Sequence, residues 1–284
     1  MIFVRDKGRM CNNILQYGHV YAWAREHGRR TVSMRFCYKY KYFAISHTRG
    51  HNLLTYLLAK YAAKIGLLPI AAFHNPEGNP EAMALLESGK NVVVEGWYAR
   101  FYDLFIKYIG EIRQLFAFDK VVLDAAQANM EASDRSALID SIQTKKEAAD
   151  ARTIKLGLHI RRGDYRTWHN GKYFFGDDVY AAYVNRFASL HPGMRITVYV
   201  CGNDPALNKA YYTEHLPGID VRFPQGNPGE DLCLLSQCDW LIGPPSTFTL
   251  VAAMYRDIPL CWMETANAAE LTFKHFNELF RNIK

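Results

Sequence analysis

The side chains whose type and spacing best suit chemistry lie in the segment His159-Ile160-Arg161-Arg162-Gly163-Asp164-Tyr165. They follow the apolar run 154–160, which reads as a strand, so two adjacent arginines stand at a strand's carboxyl end. Consecutive residues leaving a strand point to opposite sides. One arginine can therefore face a ligand while the other pairs with Asp164 across the turn at Gly163. Arginine suits a diphosphate because its planar fork donates two parallel hydrogen bonds and keeps its charge, each charged bond contributing about 1.5–3 kcal/mol. A purely structural Arg–Asp pair at a turn fits the same residues equally well. An adhesion role for the Arg-Gly-Asp tripeptide is set aside, because no secretion signal accompanies it.

A second cluster is EDLCLLSQCDWLIGPPSTFTLVAA. Here Ser246, Thr247 and Phe248 follow a short strand and a Pro-Pro turn and open an apolar helix. That position gathers backbone N–H groups, hydroxyls and the positive end of a helix dipole, which together bind anions. Simple N-capping by Ser246 explains the same pattern. Asp231 either favours a helix N-terminus or accepts hydrogen bonds from a guanine edge. The third cluster, Gly8 to Asn13, places Asn12 and Asn13 at the start of a helix that can face a ligand, and Asn12 suits the cap.

The elements that must hold these residues alternate between helix and strand. A loop and helix run from Gly8 to Gly28, with Ile14, Tyr17, Val20, Tyr21 and Ala24 on one face, followed by a strand over 31–36. A second strand covers 92–97 and a helix 105–116. The polar, helix-prone stretch 118–152 reads as a bridge, with a domain boundary near Ala151. Beyond it the alternation restarts: strand 153–160, helix 177–190, strand 195–203, a helix, strand 220–223, helix 229–238, strand 239–243 and helix 246–256. Short strands separated by helices predict a parallel sheet covered on both faces, with ligands beyond the carboxyl ends of its strands. The expected architecture is two α/β domains, 1–150 and 151–284, facing one central cleft, with the C-terminal helix packing back on the first.

Composition sets outer bounds. At 284 residues, 49% hydrophobic and 14% aromatic, the chain has material for a sizeable core and is no candidate for disorder. No apolar run reaches the roughly 18 residues of a membrane span, and the charged N-terminus does not read as a secretory signal. A cytoplasmic location is expected, with peripheral contact at the inner face of the membrane left open. The six scattered cysteines form no CxxC pair and read as buried reduced thiols. The excess of 34 Lys and Arg over 28 Asp and Glu favours anionic partners without choosing among nucleotides, lipid headgroups and nucleic acid. No nucleic-acid module is recognisable, so none is expected to bind.

The three clusters, in this order, resemble the α-1,2-fucosyltransferase family and, more distantly, the α-1,6- and protein O-fucosyltransferases. HIRRGDY reproduces the family's H-x-R-R-G-D-Y, and GRMCNNILQYG resembles its GGLGNQMFQYA opening. EGWYARFYDLFIKYIGEIRQLFAF is similar to its G-Y-x-Q segment and following helix. The resemblance implies a GT-B fold of two Rossmann-like domains, an acceptor-side first domain and a GDP-sugar-binding second. It implies inverting transfer of L-fucose from GDP-β-L-fucose to a glycan hydroxyl without a bound metal or cofactor. Arg161 would contact the β-phosphate, His159 and Asp231 guanosine, and Ser246 and Thr247 the diphosphate, while Arg162 would pair with Asp164 and take a share in donor binding. Phe248, Asn12 and Asn13 complete the expected donor site, and Arg161, Asp164 and His169 the expected catalytic set. Asp177, Asp178 and Glu95 are further candidates for the base. The sequence departs from the family at Arg9, Met10 and Cys11, where glycine and leucine are usual, and at Ser246-Thr247-Phe248-Thr249-Leu250, where the family has Ser-Phe-Ser-Trp-Trp. A transferase for another nucleotide sugar and an inactive nucleotide- or glycan-binding protein therefore stay as alternatives.

Overall fold

The structure, a computed structural model, describes residues 1–5, 7–141, 153–202 and 204–282. Contacts divide the chain into two compact units, Met1–Lys120 and Val121–Ile283. The boundary expected near Ala151 lies outside the described residues. From Val121 on, the described helix of the polar stretch is grouped with the second unit.

The first unit runs β1 (Ile2–Arg5), α1 (Met10–Glu26), β2 (Thr31–Ser33), α2 (Leu53–Lys64), β3 (Ile70–Ala72), α3 (Pro80–Glu87), β4 (Val92–Glu95), α4 (Tyr102–Lys107) and α5 (Ile109–Leu115). Its four strands form a parallel sheet in the order β2-β1-β4-β3. Ile2, Val4 and Val92 to Val94 are all buried, the near-continuous burial expected of parallel strands. The helix expected from Gly8 begins at Met10, capped by the extended Arg9, so Asn12 sits inside its first turn and is not the cap. That helix is also buried over most of its circumference, Asn13, Gln16 and His19 included, rather than along one face. The strand over 31–36 stops at Ser33, that over 92–97 stops at Glu95, and the single helix over 105–116 is two, interrupted at Tyr108.

The second unit opens with α6 (Lys120–Ser141) and continues with β5 (Thr153–Ile160), α7 (Asp177–Ser189), β6 (Arg195–Gly202), α8 (Lys209–His215), β7 (Asp220–Arg222), α9 (Pro228–Leu235), β8 (Trp240–Gly243), α10 (Thr247–Met254), β9 (Leu260–Trp262) and α11 (Leu279–Asn282). Five parallel strands stand in the order β7-β6-β5-β8-β9. Its core joins Leu156, Leu158 and Ile160 of β5 to Tyr180, Val184 and Phe187 of α7 and Val198 of β6. β5 carries Gly157 because a Cβ there would lie 2.6 Å from Leu241 and 2.7 Å from Leu235. Within this unit the C-terminal helix packs on α10. Phe280 is buried and Arg281 binds Asp257 at 2.8 Å. All six cysteines are buried, and burial pushes the Cys238 and Cys261 thiols up to about 12.

Candidate active site

In the second sheet the chain leaves β5 towards β6 and β7 on one side, and β8 towards β9 on the other. The neighbours β5 and β8 therefore flank the topological switch point, where loops part and leave a crevice at the carboxyl ends. Two sequence clusters fall on its two sides, the arginine segment after β5 and Ser246 to Phe248 after β8.

Both loops are tied together. Tyr165, buried in the 3-10 turn Gly163–Arg166, donates its hydroxyl to the carbonyl of Pro245. The ring of His159, at the end of β5, stacks on Phe248 in the first turn of α10, with centroids 5.0 Å apart. Ser246 caps α10, its hydroxyl accepting the Phe248 N–H at 3.1 Å, and the Thr249 hydroxyl donates to the Ser246 carbonyl at 3.0 Å. The N-capping that the sequence allowed for Ser246 is thus present. Asp231 lies in the first turn of α9, beside Cys201, which pairs in register with His159.

The electrostatics of the edge are set by burial. His159 is held near 3, first by burial and then by the Arg161 charge. Its imidazole is therefore neutral at pH 7, and its Nδ1 is buried with no hydrogen-bond partner. Burial, and next Glu230, raise Asp231 to about 7, so this carboxyl titrates near neutrality.

The two arginines have opposite surroundings. Arg161 binds the Asp164 carboxylate at 2.9 Å and lies over the Tyr165 ring at 5.4 Å, and its backbone N–H donates to the Tyr180 hydroxyl at 3.2 Å. Its Nε is buried and makes no hydrogen bond. Arg162 is consumed by the protein. Its Nε donates to the Phe175 carbonyl at 3.1 Å, Nη1 to Asp204 at 3.1 Å, and Nη2 to Asp177, which also accepts from the Tyr212 hydroxyl at 2.7 Å. Asp164, expected beside Arg162, forms an ion pair with Arg161. Strand alternation sends Arg162 to the α7 side, and the 3-10 turn brings Asp164 back onto Arg161, three residues behind it.

The expected bases divide sharply. Asp177 is committed to Arg162 and Tyr212. Glu95 belongs to the first unit, where it binds Arg5 at 3.0 Å and His74 at 3.2 Å. His169 and Asp178 are exposed. His169 has a left-handed backbone, φ 48°, and its ring rests against Trp168 at 4.3 Å.

Asn12 and Asn13 also lie in the first unit. The Asn13 amide donates to the Arg9 carbonyl at 3.0 Å while its Oδ1 is buried without a partner. Of the aromatic residues, Trp97 and Tyr98 are exposed just past β4. Arg100, which sequence reasoning passed over, stacks on Trp97 at 3.9 Å with both terminal nitrogens buried and lacking a hydrogen bond, and burial draws its guanidinium down to about 10. Asp204 was passed over as well, and Tyr165 stood in the motif without a role. No spacing rule marks them, because each acts through a loop 42 to 80 residues away in sequence.

Neither a protein-family model nor a curated protein matches the sequence. Solved structures are similar in fold. POFUT1 in complex with GDP superposes with a TM-score of 0.52 at 14% identity, covering 92% of this chain and 97% of that one. A high-resolution structure of the same complex gives 0.51 at 12% identity, covering 90% and 94%. A mutant of Arabidopsis thaliana FUT1 in complex with GDP gives 0.57 at 12% identity, covering 97% of this chain and 73% of that one. The chain accordingly has the GT-B fold, built from two Rossmann-like units.

Proposed function

We propose that this chain is a glycosyltransferase that moves L-fucose from GDP-β-L-fucose to a hydroxyl of a glycan acceptor, with inversion and without a metal. The motif set favours an α-1,2 linkage. The observation that carries this is Arg161, a guanidinium at the switch point of a Rossmann unit, held by Asp164 and the Tyr165 ring, with a buried Nε that lacks an acceptor. A buried donor left unpaired costs about 1–3 kcal/mol, and a phosphate oxygen recovers it. The structures of similar fold, POFUT1 and FUT1, are complexes with GDP.

In this reading the diphosphate lies between Arg161 and the N-terminus of α10. Ser246, Thr247 and the backbone N–H groups there face its oxygens, while His159 and Asp231 meet the guanosine. The acceptor hydroxyl loses its proton to a base as its oxygen attacks C1 of fucose. The bond from C1 to the β-phosphate oxygen breaks on the opposite face, and its electron pair leaves with GDP. Arg161 offsets that growing negative charge, a role whose removal lowers kcat by about 10²–10³. We assign the base to His169, exposed just beyond the arginine segment, while Asp177 and Glu95 are held in ion pairs and Asp178 stays the second candidate.

Calorimetry with GDP, UDP and ADP, joined to a transfer assay from GDP-fucose in the presence of EDTA, tests this. GDP should bind in preference, transfer should survive EDTA, Arg161→Ala should lose about 10²–10³ in rate with its fold intact, and His169→Ala should lower kcat without changing GDP affinity. Equal affinity for the three nucleotides removes the fucose reading, and full activity in the Arg161→Ala variant removes the mechanism.

A further inference from the structure

Helix α2 is built with its small residues inward and its large ones outward. It packs on the first sheet through Ala59 and Ala63, with Tyr56 beside them, against Met34 and Val93. At about 100° per residue, Leu54, Leu58, Tyr61 and Ile65 fall on the opposite side of the helix. They are open to solvent: Leu54 is 67% exposed, Leu58 63%, Tyr61 54% and Ile65 69%, and the stripe continues into Leu67 at 73%. Single exposed leucines are ordinary, but a contiguous apolar stripe marks an interaction surface.

Charge identifies the partner. Between Glu26 and Glu77 the chain holds no acidic residue and eight Lys and Arg. This exceeds the net charge of +6 carried by the whole chain, so the remainder is net acidic. On α2, Lys60 and Lys64 border one side of the apolar stripe, with the Lys60 ammonium over the rings of Tyr56 at 5.6 Å and Tyr61 at 5.8 Å. Exposed Tyr38 packs against Tyr56 with ring centroids 4.5 Å apart and extends the aromatic border. Leucines on one face, lysines on its rim and tyrosines between are the composition of a helix lying in a bilayer interface, where apolar side chains enter the acyl boundary and ammonium groups reach lipid phosphates. Among the described residues no helix is long and apolar enough to cross a membrane.

We propose that the outer face of α2 docks the protein on a membrane surface rich in anionic lipid, with Leu54, Leu58 and Ile65 inserted and Lys60 and Lys64 against the headgroups. This does not depend on the donor or on the reaction, and its test does not use either. The full chain is sedimented with vesicles of phosphatidylcholine alone and of phosphatidylcholine with phosphatidylglycerol at a ratio of about 7:3. The wild-type protein should pellet with the second and stay in solution with the first, and added salt should release it. Lys60→Gln with Lys64→Gln should weaken partition roughly 25-fold, at about fivefold per cation. Leu54→Glu with Leu58→Glu should abolish it, with the circular dichroism spectrum and melting temperature unchanged because both side chains are exposed.

Wild-type protein remaining in solution with both vesicles overturns the proposal, as does a leucine double variant that pellets like the wild type. Sedimentation velocity supplies the remaining outcome. A dimer that dissociates on Leu54→Glu would show that the stripe meets a second copy of this chain instead of lipid.

Discussion

Arg161 and Arg162 are chemically equal and one position apart, yet the fold gives them different work. Adjacent residues leaving β5 turn to opposite sides, and each side supplies its own carboxylates: Asp164 for Arg161, Asp177 and Asp204 for Arg162. The motif announced an arginine–aspartate pair, but not its membership, because Gly163 lets the turn fold either way. One of the carboxylates on Arg162 is Asp204, which stands beyond β6 and is invisible to local spacing. Arg162 is thereby a clamp that ties the end of β5 to the start of α7 and the loop after β6. Lysine retains the charge but not the planar fork that reaches three acceptors. Arg162→Lys should therefore destabilise the fold by about 1–3 kcal/mol, seen as a lower melting temperature. Arg161→Lys should leave the melting temperature nearly unchanged and lower the transfer rate. An Arg162→Lys protein that melts like the wild type would contradict the clamp.

Elements were legible where they were long. β5 and β6 each run eight residues with near-continuous burial, and α7 shows a clear apolar face, so the second unit's alternation could be read directly. β1, β3 and β9 are three or four residues long and show no period; β2, β4, β7 and β8 are as short, and were read from their place in the alternation with helices. The end of β4 illustrates a constraint that spacing does not reveal. Gly96 has φ 108°, and a Cβ there would stand 2.1 Å from the Phe73 carbonyl oxygen. The close approach is locked on either side by Phe73 N–H to the Glu95 carbonyl at 2.7 Å and Tyr98 N–H to the Phe73 carbonyl at 3.1 Å. The clash is with backbone and cannot be relieved by a rotamer. Gly96→Ala should cost at least about 3 kcal/mol, combining overpacking with a strained positive φ. Denaturant titration checks this, and a loss below about 1 kcal/mol would mean that the segment after β4 shifts freely.

At the scale of the whole molecule the two units should respond differently to acid. In the first unit His51 and His19 are both buried in neutral form. His51 accepts the Ser33 N–H on Nε2 at 3.0 Å, and burial, then Lys41, hold it near 4. His19 accepts the Phe101 N–H at 3.1 Å, and burial, then Arg100, hold it well below its ordinary value. Unfolding frees both to take up a proton below about 6.5. The unfolded state then binds more protons, so the stability they contribute is present above about 6.5 and is lost as pH falls towards 4. Two protons amount to about 2.7 kcal/mol per pH unit. The second unit holds His159 in the same neutral state, but there Asp231 is raised to about 7 and Asp220 is raised as well, both first by burial. For a raised carboxyl the folded form binds more protons below its folded value, so its contribution grows as pH falls and offsets the histidine. Acidification from about pH 7.5 to about pH 5.5 should consequently loosen the first unit more than the second. Amide hydrogen exchange, corrected for its intrinsic pH dependence, should show protection falling further in α1 and β2 than in β5 and β6. Equal losses in both, or a larger loss in the second unit, would show that the neutral histidines do not control the acid response. Asp231→Asn sharpens the comparison. It removes the offset, so the second unit should then lose about 1.4 kcal/mol more per pH unit between about 4 and 7.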